Sequence, residues 1–587
     1  MALRRLRSVG LVATLSAAVM IAVSLLWAAG AESKPRPPVR FSDIQILGVN
    51  DFHGNLKPTT RSSSNPTVYG GAAYLDAYFE REAAEVPGGT IKVHAGDMVG
   101  ASPLISSYFH DEPTVEVMNS IGFDVGTLGN HEFDEGGEEM LRLLRGGQRD
   151  DGGQFKDGPD GQPINTSDPN FAGTDFPYTS ANTVYADSGE NVLKPYRIVK
   201  RKGVRVGFIG VTTEDTPNIV TPDEIAPFRF LDISESVDRY AKELRRKRDV
   251  EAIVVLAHEG GFLASDPTAT PPASGEILDE VKEMSSDVDV VVAGHTHTKL
   301  DNCVDDETGT VTNEGTEGCG RDKLVVESFA FGTAFDQVRM QVNRRTGDVV
   351  NATAEVVDTL NTGITPDRKT QRIVSEYDAK ISPIANRVVS SATQDISRND
   401  NPGEESSLGA LIADAQRAYN PDNAEPADFA FMNPGGIRAD IAAGEVTYGE
   451  LFSVQPFDNQ LVNMDLTGAQ IYTLLDQQFP PNQSGTTVRI LQVSGLTYAY
   501  DRSQPQGQRI SELQTTDGTP IPNDDTVYRV AVNSFIASGG DSFTVLREGQ
   551  NVETLGSDLD ALEAYIDDGE TFGPPPDALT RITNATP

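Results

Sequence analysis

Six short runs of valine and isoleucine limit the folds open to this chain. IQILGV (44–49), IKVHA (91–95), VRVGFIGV (204–211), EAIVVLA (251–257), VDVVVAG (288–294) and KLVVESFA (323–330) are nearly continuous in apolar residues. A strand with one wet face alternates apolar and polar side chains, whereas a strand buried on both faces need not. Helical or loop segments separate the runs. From Phe41 to about Phe335 the pattern therefore predicts a layered α/β domain whose strands are covered on both sides.

The chain has 587 residues, about four times a common domain length of ~150, so further folded units are expected. After the strand-like stretch MQVNRRTGDVVNATAEVVD, the segment from Asp367 to Ala385 lacks glycine, has proline only at Pro383 and carries charges at helical spacing. We read a first domain at 40–360, a linker helix at 361–385 and a second α/β unit at 386–580. In that unit ALIADAQRAY reads as a helix, and DFAFMN, QLVNMDL, LTYAY and VYRVAVN read as strands. Residues 146–175, rich in Gly, Asp, Pro and Asn, read as an exposed excursion.

Arg4, Arg5 and Arg7 precede an apolar stretch from Gly10 to Ala29, and Ala29-Gly30-Ala31 fits a signal-cleavage pattern. Export with loss of residues 1–31 is expected, to an extracellular, periplasmic or cell-surface location. The alternative is an uncleaved anchor, since the run approaches the ~20 residues that span a bilayer. No later segment is long and apolar enough to do so, so no stable membrane insertion is expected once the signal is cleaved. Cleavage removes three arginines and no acid, moving the formal charge from −39 to −42. Such a surface repels nucleic-acid polymers and anionic lipids. A phosphate-bearing substrate would then need a local positive site, for which metal ions are the natural source. Cys303 and Cys319 flank an Asp/Glu/Gly/Thr-rich loop, and in an exported chain they are expected to form one disulfide.

Five of the seven histidines stand in polar clusters just after apolar runs: NDFHG (50–54), GNHEFD (129–134), AHEGG (257–261) and GHTH (294–297). HAGDMVG (94–100) places Asp97 similarly. Side chains at the carboxyl ends of strands in an α/β sheet converge on one crevice. Asp51 and His53 are two apart, so a strand-like backbone would point both to one side, and His295 and His297 repeat the spacing. With Asp97, Asn130 and His258 they supply enough nitrogen and oxygen donors for two transition-metal ions. Hard oxygen with imidazole suits Mn, Zn, Fe or Co, and the absence of thiolate argues against a structural zinc site. His94 and His110 complete no cluster.

NDFHG, GD, GNHEFD, AHEG and GHTH, in that order, resemble the calcineurin-like metallophosphoesterases, and more closely the exported 5′-nucleotidase family. FMNPGGIRADI (431–441), GEVTYGELFSVQPFDNQL (444–461) and NSFIASGGDSF (533–543) are similar to that family's substrate-domain motifs. The resemblance implies a four-layer α/β/β/α metallophosphoesterase domain joined by a helix to a C-terminal α/β substrate-binding domain. It implies one divalent ion on Asp51, His53 and His297, a second on Asn130, His258 and His295, and Asp97 bridging them. His131 and Asp134 become the catalytic pair, with His131 reaching the phosphate and Asp134 fixing its ring. Glu132 reads equally as a support behind these groups or as a solvated acid.

The same resemblance assigns Phe457 and Phe535 to the two faces of a base, Asn433 and Asn459 to base or sugar, Asp541 to a ribose hydroxyl, and Arg438 to the phosphate and ribose. It also implies rotation of the C-terminal domain about a hinge near the linker helix. One departure is visible. The family commonly brings another arginine just before a segment like SSLGALIADA; here the approach reads SRNDNPGEE, and Arg398 lies further away, with Glu404 and Glu405 between. The implied activity is hydrolysis of nucleoside 5′-monophosphates by metal-activated hydroxide attack, with nucleotide sugars and di- or triphosphates as further candidates. The alternatives are a 2′,3′-cyclic-nucleotide phosphodiesterase with 3′-nucleotidase activity, and a secreted nucleotide-binding protein without turnover.

Overall fold

The computed structural model describes residues 40–62, 65–149, 154–155, 164–265, 269–401, 404–421, 426–479, 489–567 and 571–586. The signal expected at 1–31 and part of the 146–175 excursion lie outside them. From Phe41 the chain makes β1 (Phe41–Val49), β2 (Thr90–His94), β3 (Val125–Thr127), β4 (Tyr178–Thr179), β5 (Tyr196–Arg201), β6 (Val204–Thr212), β7 (Ala252–His258), β8 (Val290–Val292), β9 (Lys299–Val304), β10 (Val311–Thr312), β11 (Lys323–Ser328), β12 (Ala334–Asn343) and β13 (Val349–Asp358). They form two sheets, ordered β13-β12-β1-β2-β3-β4 and β5-β6-β7-β8-β11-β9-β10. β1 to β4 pair in parallel, as do β6, β7, β8 and β11, so each sheet sends one set of carboxyl ends the same way.

The unbroken apolar runs are explained by four layers. Ile44, Ile46, Val93 and Val125 of the first sheet meet Val206, Phe208, Val254, Val292 and Val326 of the second in a closed inner layer. The alternate residues face outward and are covered as well. Leu47 and Val49 pack with Leu75 and Phe79 of helix Ala72–Glu85 and with Val117 and Met118 of helix Glu112–Ile121. On the other side Ile253, Val255 and Val291 pack with Val237 and Leu244 of helix Ile233–Arg248 and with Ile277 and Val281 of helix Glu276–Glu283. Each such side chain contributes roughly 1.5–3 kcal/mol on burial, which is why both faces of these strands stay apolar.

MQVNRRTGDVVNATAEVVD, read as strand-like, is the hairpin β12–β13, turned at Asn343–Asp348, where Asn343 N donates to Asp348 O at 2.9 Å and Gly347 takes φ 84. One expectation needs correction. The linker helix begins at Arg368 rather than 361, because Asp367 caps it, its carboxylate accepting from Lys369 N and Thr370 N. Upstream, Gly363 with φ 81 and Pro366 interrupt any helical path. The helix runs through Pro383 to Ala385.

Beyond it, a five-stranded sheet runs in the order Gln492–Ser494, Phe429–Met432, Val527–Asn533, Gln460–Thr467, Gln550–Ser557. LTYAY belongs to a separate three-stranded sheet with Ile510–Thr515 and Ile582–Asn584. Helix Ser407–Ala418 is capped by Ser406, whose hydroxyl accepts from Gly409 N. Cys303, on β9, is bonded to Cys319. No described helix is long and apolar enough to cross a membrane.

Candidate functional site

The polar clusters occupy the turns that leave β1, β2, β3, β7 and β8 at their carboxyl ends. β1 stops at Val49 and β8 at Val292, so neither Asp51/His53 nor His295/His297 is strand-like as the spacing suggested. Asp51, His53, Asp97, His295 and His297 instead all have left-handed backbone, with φ of 50, 46, 49, 76 and 56°. For residues other than glycine this costs of order 1–3 kcal/mol each and persists only where the surroundings enforce it. Here the enforcement is visible: Asp51 N, His53 N and Gly54 N donate to Gly96 O, Asp97 O and Met98 O, stitching the first turn to the second. Gly129 allows the third turn to approach, since a Cβ there would stand 2.1 Å from Asp97 Oδ1.

Three groups of potential ligand atoms result, each within 4.8 Å of one another: Asp51, His53 and His297; His53, Asp97 and His131; and Asp97, His258 and His295. A carbonyl can only accept, so Gly100 O, 2.8 Å from His53 Nδ1, and Ala95 O, 2.9 Å from His258 Nδ1, place the ring protons on Nδ1. Nε2 of each ring then faces inward, where it can offer a lone pair to a cation. His258 Nε2 lies 3.0 Å from both Asp97 Oδ2 and Asn130 Oδ1, His53 Nε2 lies 3.7 Å from Asp97 Oδ2, and His297 Nε2 lies 3.2 Å from Asp51 Oδ1. His53 Nε2 and His297 Nε2 face each other at 3.3 Å. Asp51 Oδ1 is buried with no donor aligned on it. Imidazole nitrogens and carboxylates converging in a largely buried site require positive charge at their centre. Imidazole, carboxylate and amide donors without thiolate fit divalent Mn, Zn, Fe or Co.

His131 stands beside this array. Its Nδ1 is 2.7 Å from Asp134 Oδ2, and its backbone N–H donates to Asp97 Oδ1 at 2.9 Å. Burial opposes charge on the ring, but the Asp134 and Asp97 carboxylates outweigh it and raise its pKa. Glu132 is buried rather than solvated: its carboxylate accepts from Asp97 N and Met98 N at 3.0 and 2.9 Å and from Gly129 N, tying the Asp97 turn to the Asn130 turn. Burial, then repulsion from Asp97, pushes its pKa up to about 7. His94, by contrast, lies in an apolar box of Phe123, Phe176 and Tyr178.

The C-terminal unit reaches into the same crevice. Phe457 stacks on His131 with ring centres 5.8 Å apart and planes at 17°, and the Arg438 guanidinium lies 5.8 Å from the Phe457 ring centre. Arg398 Nη1 donates to Ile437 O at 2.8 Å, next to Arg438. Burial and the nearby Arg398 charge both pull the Arg438 pKa down. Glu404 and Glu405 are turned away, Glu405 accepting from Arg581 N and Ile582 N, and Glu404 from Tyr500 and Asn584.

Comparison with known proteins gives the family. The family described as calcineurin-like phosphoesterase matches residues 44–299, and that described as 5′-nucleotidase, C-terminal domain, matches residues 383–548. Cell wall protein Lmo0130 of Listeria monocytogenes is 34% identical over 90% of this chain and 68% of its own length. The chain belongs to the 5′-nucleotidase family. It is a hydrolase of the 5′-nucleotidase type, in a family that uses divalent metals. Endonuclease YhcR of Bacillus subtilis is also 34% identical, over 92% of this chain, which spans only 41% of that protein. The crystal structure of a 5′-nucleotidase precursor from Thermus thermophilus superposes with a TM-score of 0.75 at 27% identity, covering 93% of this chain and all of that one.

In this 5′-nucleotidase family member most of the remaining positions that the resemblance assigned to substrate are joined by polar contacts. Asn533 Nδ2 donates to Asn433 Oδ1, and Asn433 Nδ2 to Asp541 Oδ2, both at 2.9 Å. Asp541 Oδ1 is 3.1 Å from Arg489 Nε, and Arg489 Nη2 is 3.1 Å from Asp215 Oδ2 of the first domain. Phe535 lies across Gly540, where a Cβ would stand 2.4 Å from its ring. Asn459 Oδ1 accepts from Ser534 Oγ at 3.2 Å. Arg489 and Asp215 were invisible to motif reading, because nothing in either neighbourhood signals a pair 274 residues apart. If this clasp shapes the nucleotide pocket, Arg489→Ala should raise KM for a nucleoside monophosphate roughly tenfold, the scale of a lost charged hydrogen bond, with kcat within about twofold. Steady-state kinetics with an unchanged KM would remove Arg489 from the binding account.

Proposed function

We propose that this chain is an exported two-metal phosphohydrolase that removes phosphate from nucleoside 5′-monophosphates. The observation that carries the reading is the stacking of Phe457, from the C-terminal unit, on His131 beside the candidate ligand groups. An aromatic platform for a flat base and a cation-binding array for phosphate then share one crevice, with the Arg438 guanidinium 5.8 Å from the Phe457 ring centre. In this reading Asp51, His53 and His297 hold one divalent cation, Asn130, His258 and His295 hold the other, and Asp97 is shared. When bound, two such cations lower the pKa of a water molecule and neutralise charge on the phosphoryl oxygens. Asp134 fixes the His131 ring through Nδ1, leaving Nε2 to donate a proton to the leaving oxygen. Phe457 and Phe535 hold the base, Asn433, Asn459 and Asp541 read base and sugar, and Arg438, assisted by Arg398, steadies the phosphate.

The disulfide and the cell-wall name of the Listeria relative support a location outside the cytoplasm. A formal charge of −39 disfavours long nucleic-acid substrates. The endonuclease name of the Bacillus relative keeps phosphodiesters as the second reading. Both are tested by phosphate release from 5′-AMP and 3′-AMP and by ring opening of 2′,3′-cyclic AMP to the monoester, using residues 32–587 with Mn or Zn. Fastest release from 5′-AMP is expected. Preference for the cyclic compound or 3′-AMP would replace the proposal with the phosphodiesterase and 3′-nucleotidase reading.

A further inference from the structure

β11 carries no candidate ligand, yet its last two residues stand directly behind the turns that do. Glu327 is fully buried, and its carboxylate oxygens lie 2.8 and 2.9 Å from Thr296 Oγ1 and 3.2 Å from Thr298 N. Thr296 is the residue between His295 and His297. The same carboxylate lies 3.5 Å from Gly261 N, and Gly261 O accepts from Thr296 Oγ1 at 2.9 Å and Thr298 Oγ1 at 2.5 Å. Gly261 closes the turn that begins at His258. Ser328 completes the anchor on the other side: its N and Oγ donate to Asn50 Oδ1 at 3.1 and 2.8 Å, and Asn50 Nδ2 donates to Asp51 Oδ2 at 2.7 Å.

A buried carboxylate is costly unless its hydrogen bonds are made, and here the partners come from the two turns that present His258, His295 and His297. His295 and His297 have φ of 76 and 56°, a conformation that needs over-determined surroundings. Thr296, held from behind, supplies them. We propose that Glu327 is a positioning residue for the metal centre, locking the His295–His297 turn onto the His258 turn so that the three imidazoles are aimed before a cation arrives. The proposal rests on the two-cation reading above. It extends that reading to a residue that touches neither cation nor substrate, and it makes the end of β11 the shared support of both ligand sets.

The test is calorimetric titration of Mn or Zn into the chelator-treated full chain and its variants, with no substrate present. The native protein should bind two cations; if it binds none, the two-cation reading itself fails, independently of Glu327. Glu327→Ala should bind with 10- to 100-fold lower affinity, the usual scale for groups that orient metal ligands, while its far-ultraviolet circular dichroism matches the native protein. Glu327→Gln keeps the oxygen that accepts from Thr298 N and Thr296 Oγ1, and should restore affinity to within about threefold, a smaller loss than that range. Thr296→Val removes the contact with little change of volume and should weaken binding like Glu327→Ala, which keeps the test decisive if that variant misfolds. Native affinity in Glu327→Ala or Thr296→Val would overturn the proposal. So would a Glu327→Gln protein as weak as Glu327→Ala, since charge rather than positioning would then be the cause.

Discussion

His131→Ala is expected to lower kcat on a nucleoside 5′-monophosphate by roughly a hundredfold or more, the range for a lost general acid or base, while cation binding stays intact. The ring has one nitrogen committed, with Nδ1 at 2.7 Å from Asp134, and the other free to serve the leaving oxygen. Of its contacts with the candidate ligands, alanine retains the backbone N–H that donates to Asp97 and removes only the ring's edge contact with His53, whose centroid is 4.9 Å away. The effect should therefore fall on turnover rather than on cation stoichiometry. KM is expected to move less, because Phe457 and Phe535, the rings assigned to the base, remain, and only the His131 face of Phe457 is uncovered. Asp134→Asn should reproduce part of the loss, because an amide supports the imidazolium less well than a carboxylate. Full turnover in His131→Ala would rule out the assigned role.

Asp97→Asn should produce a different failure, of cation binding first and catalysis second. Asp97 is the one carboxylate shared by two of the three candidate groups, with Oδ2 3.0 Å from His258 Nε2 and 3.7 Å from His53 Nε2. Burial disfavours its charge, yet His258 and His131 pull its pKa well below the usual carboxylate range, so it is present as the anion. Replacing that anion by an amide removes the negative charge that would hold both cations, and the stoichiometry measured by elemental analysis should fall from two towards one. Because paired cations supply several kcal/mol of transition-state stabilisation, turnover should fall about a thousandfold. Two tightly bound cations in Asp97→Asn would exclude the bridging arrangement.

The layered fold was readable because burial on both faces leaves a local mark: all of the six runs but IKVHA are apolar with little alternation, and each became a strand. The candidate ligands were readable for a related reason, since a polar cluster at the end of such a run has one place to go. Their conformation was not readable. The spacing of Asp51 and His53, and of His295 and His297, suggested extended backbone, but all four are left-handed, held by hydrogen bonds from turns distant in sequence. Glu132 could not be settled until its three backbone donors were seen to belong to two different turns.

Composition, periodicity and the order of the polar clusters by themselves determined the layers, the crevice and the residue types that meet in it, because strands and their ends are set by neighbours in the chain. Only the tertiary structure decided which groups stand behind the ligands and which cross between the domains. KLVVESFA reads as a strand and nothing more, yet Glu327 and Ser328 support the turns bearing His297 and Asp51. Arg489 carries no motif, yet it joins Asp541 to Asp215. Such contacts depend on the packing of segments 31 to 278 residues apart, and a hydrogen bond across such a separation leaves no periodicity in the chain.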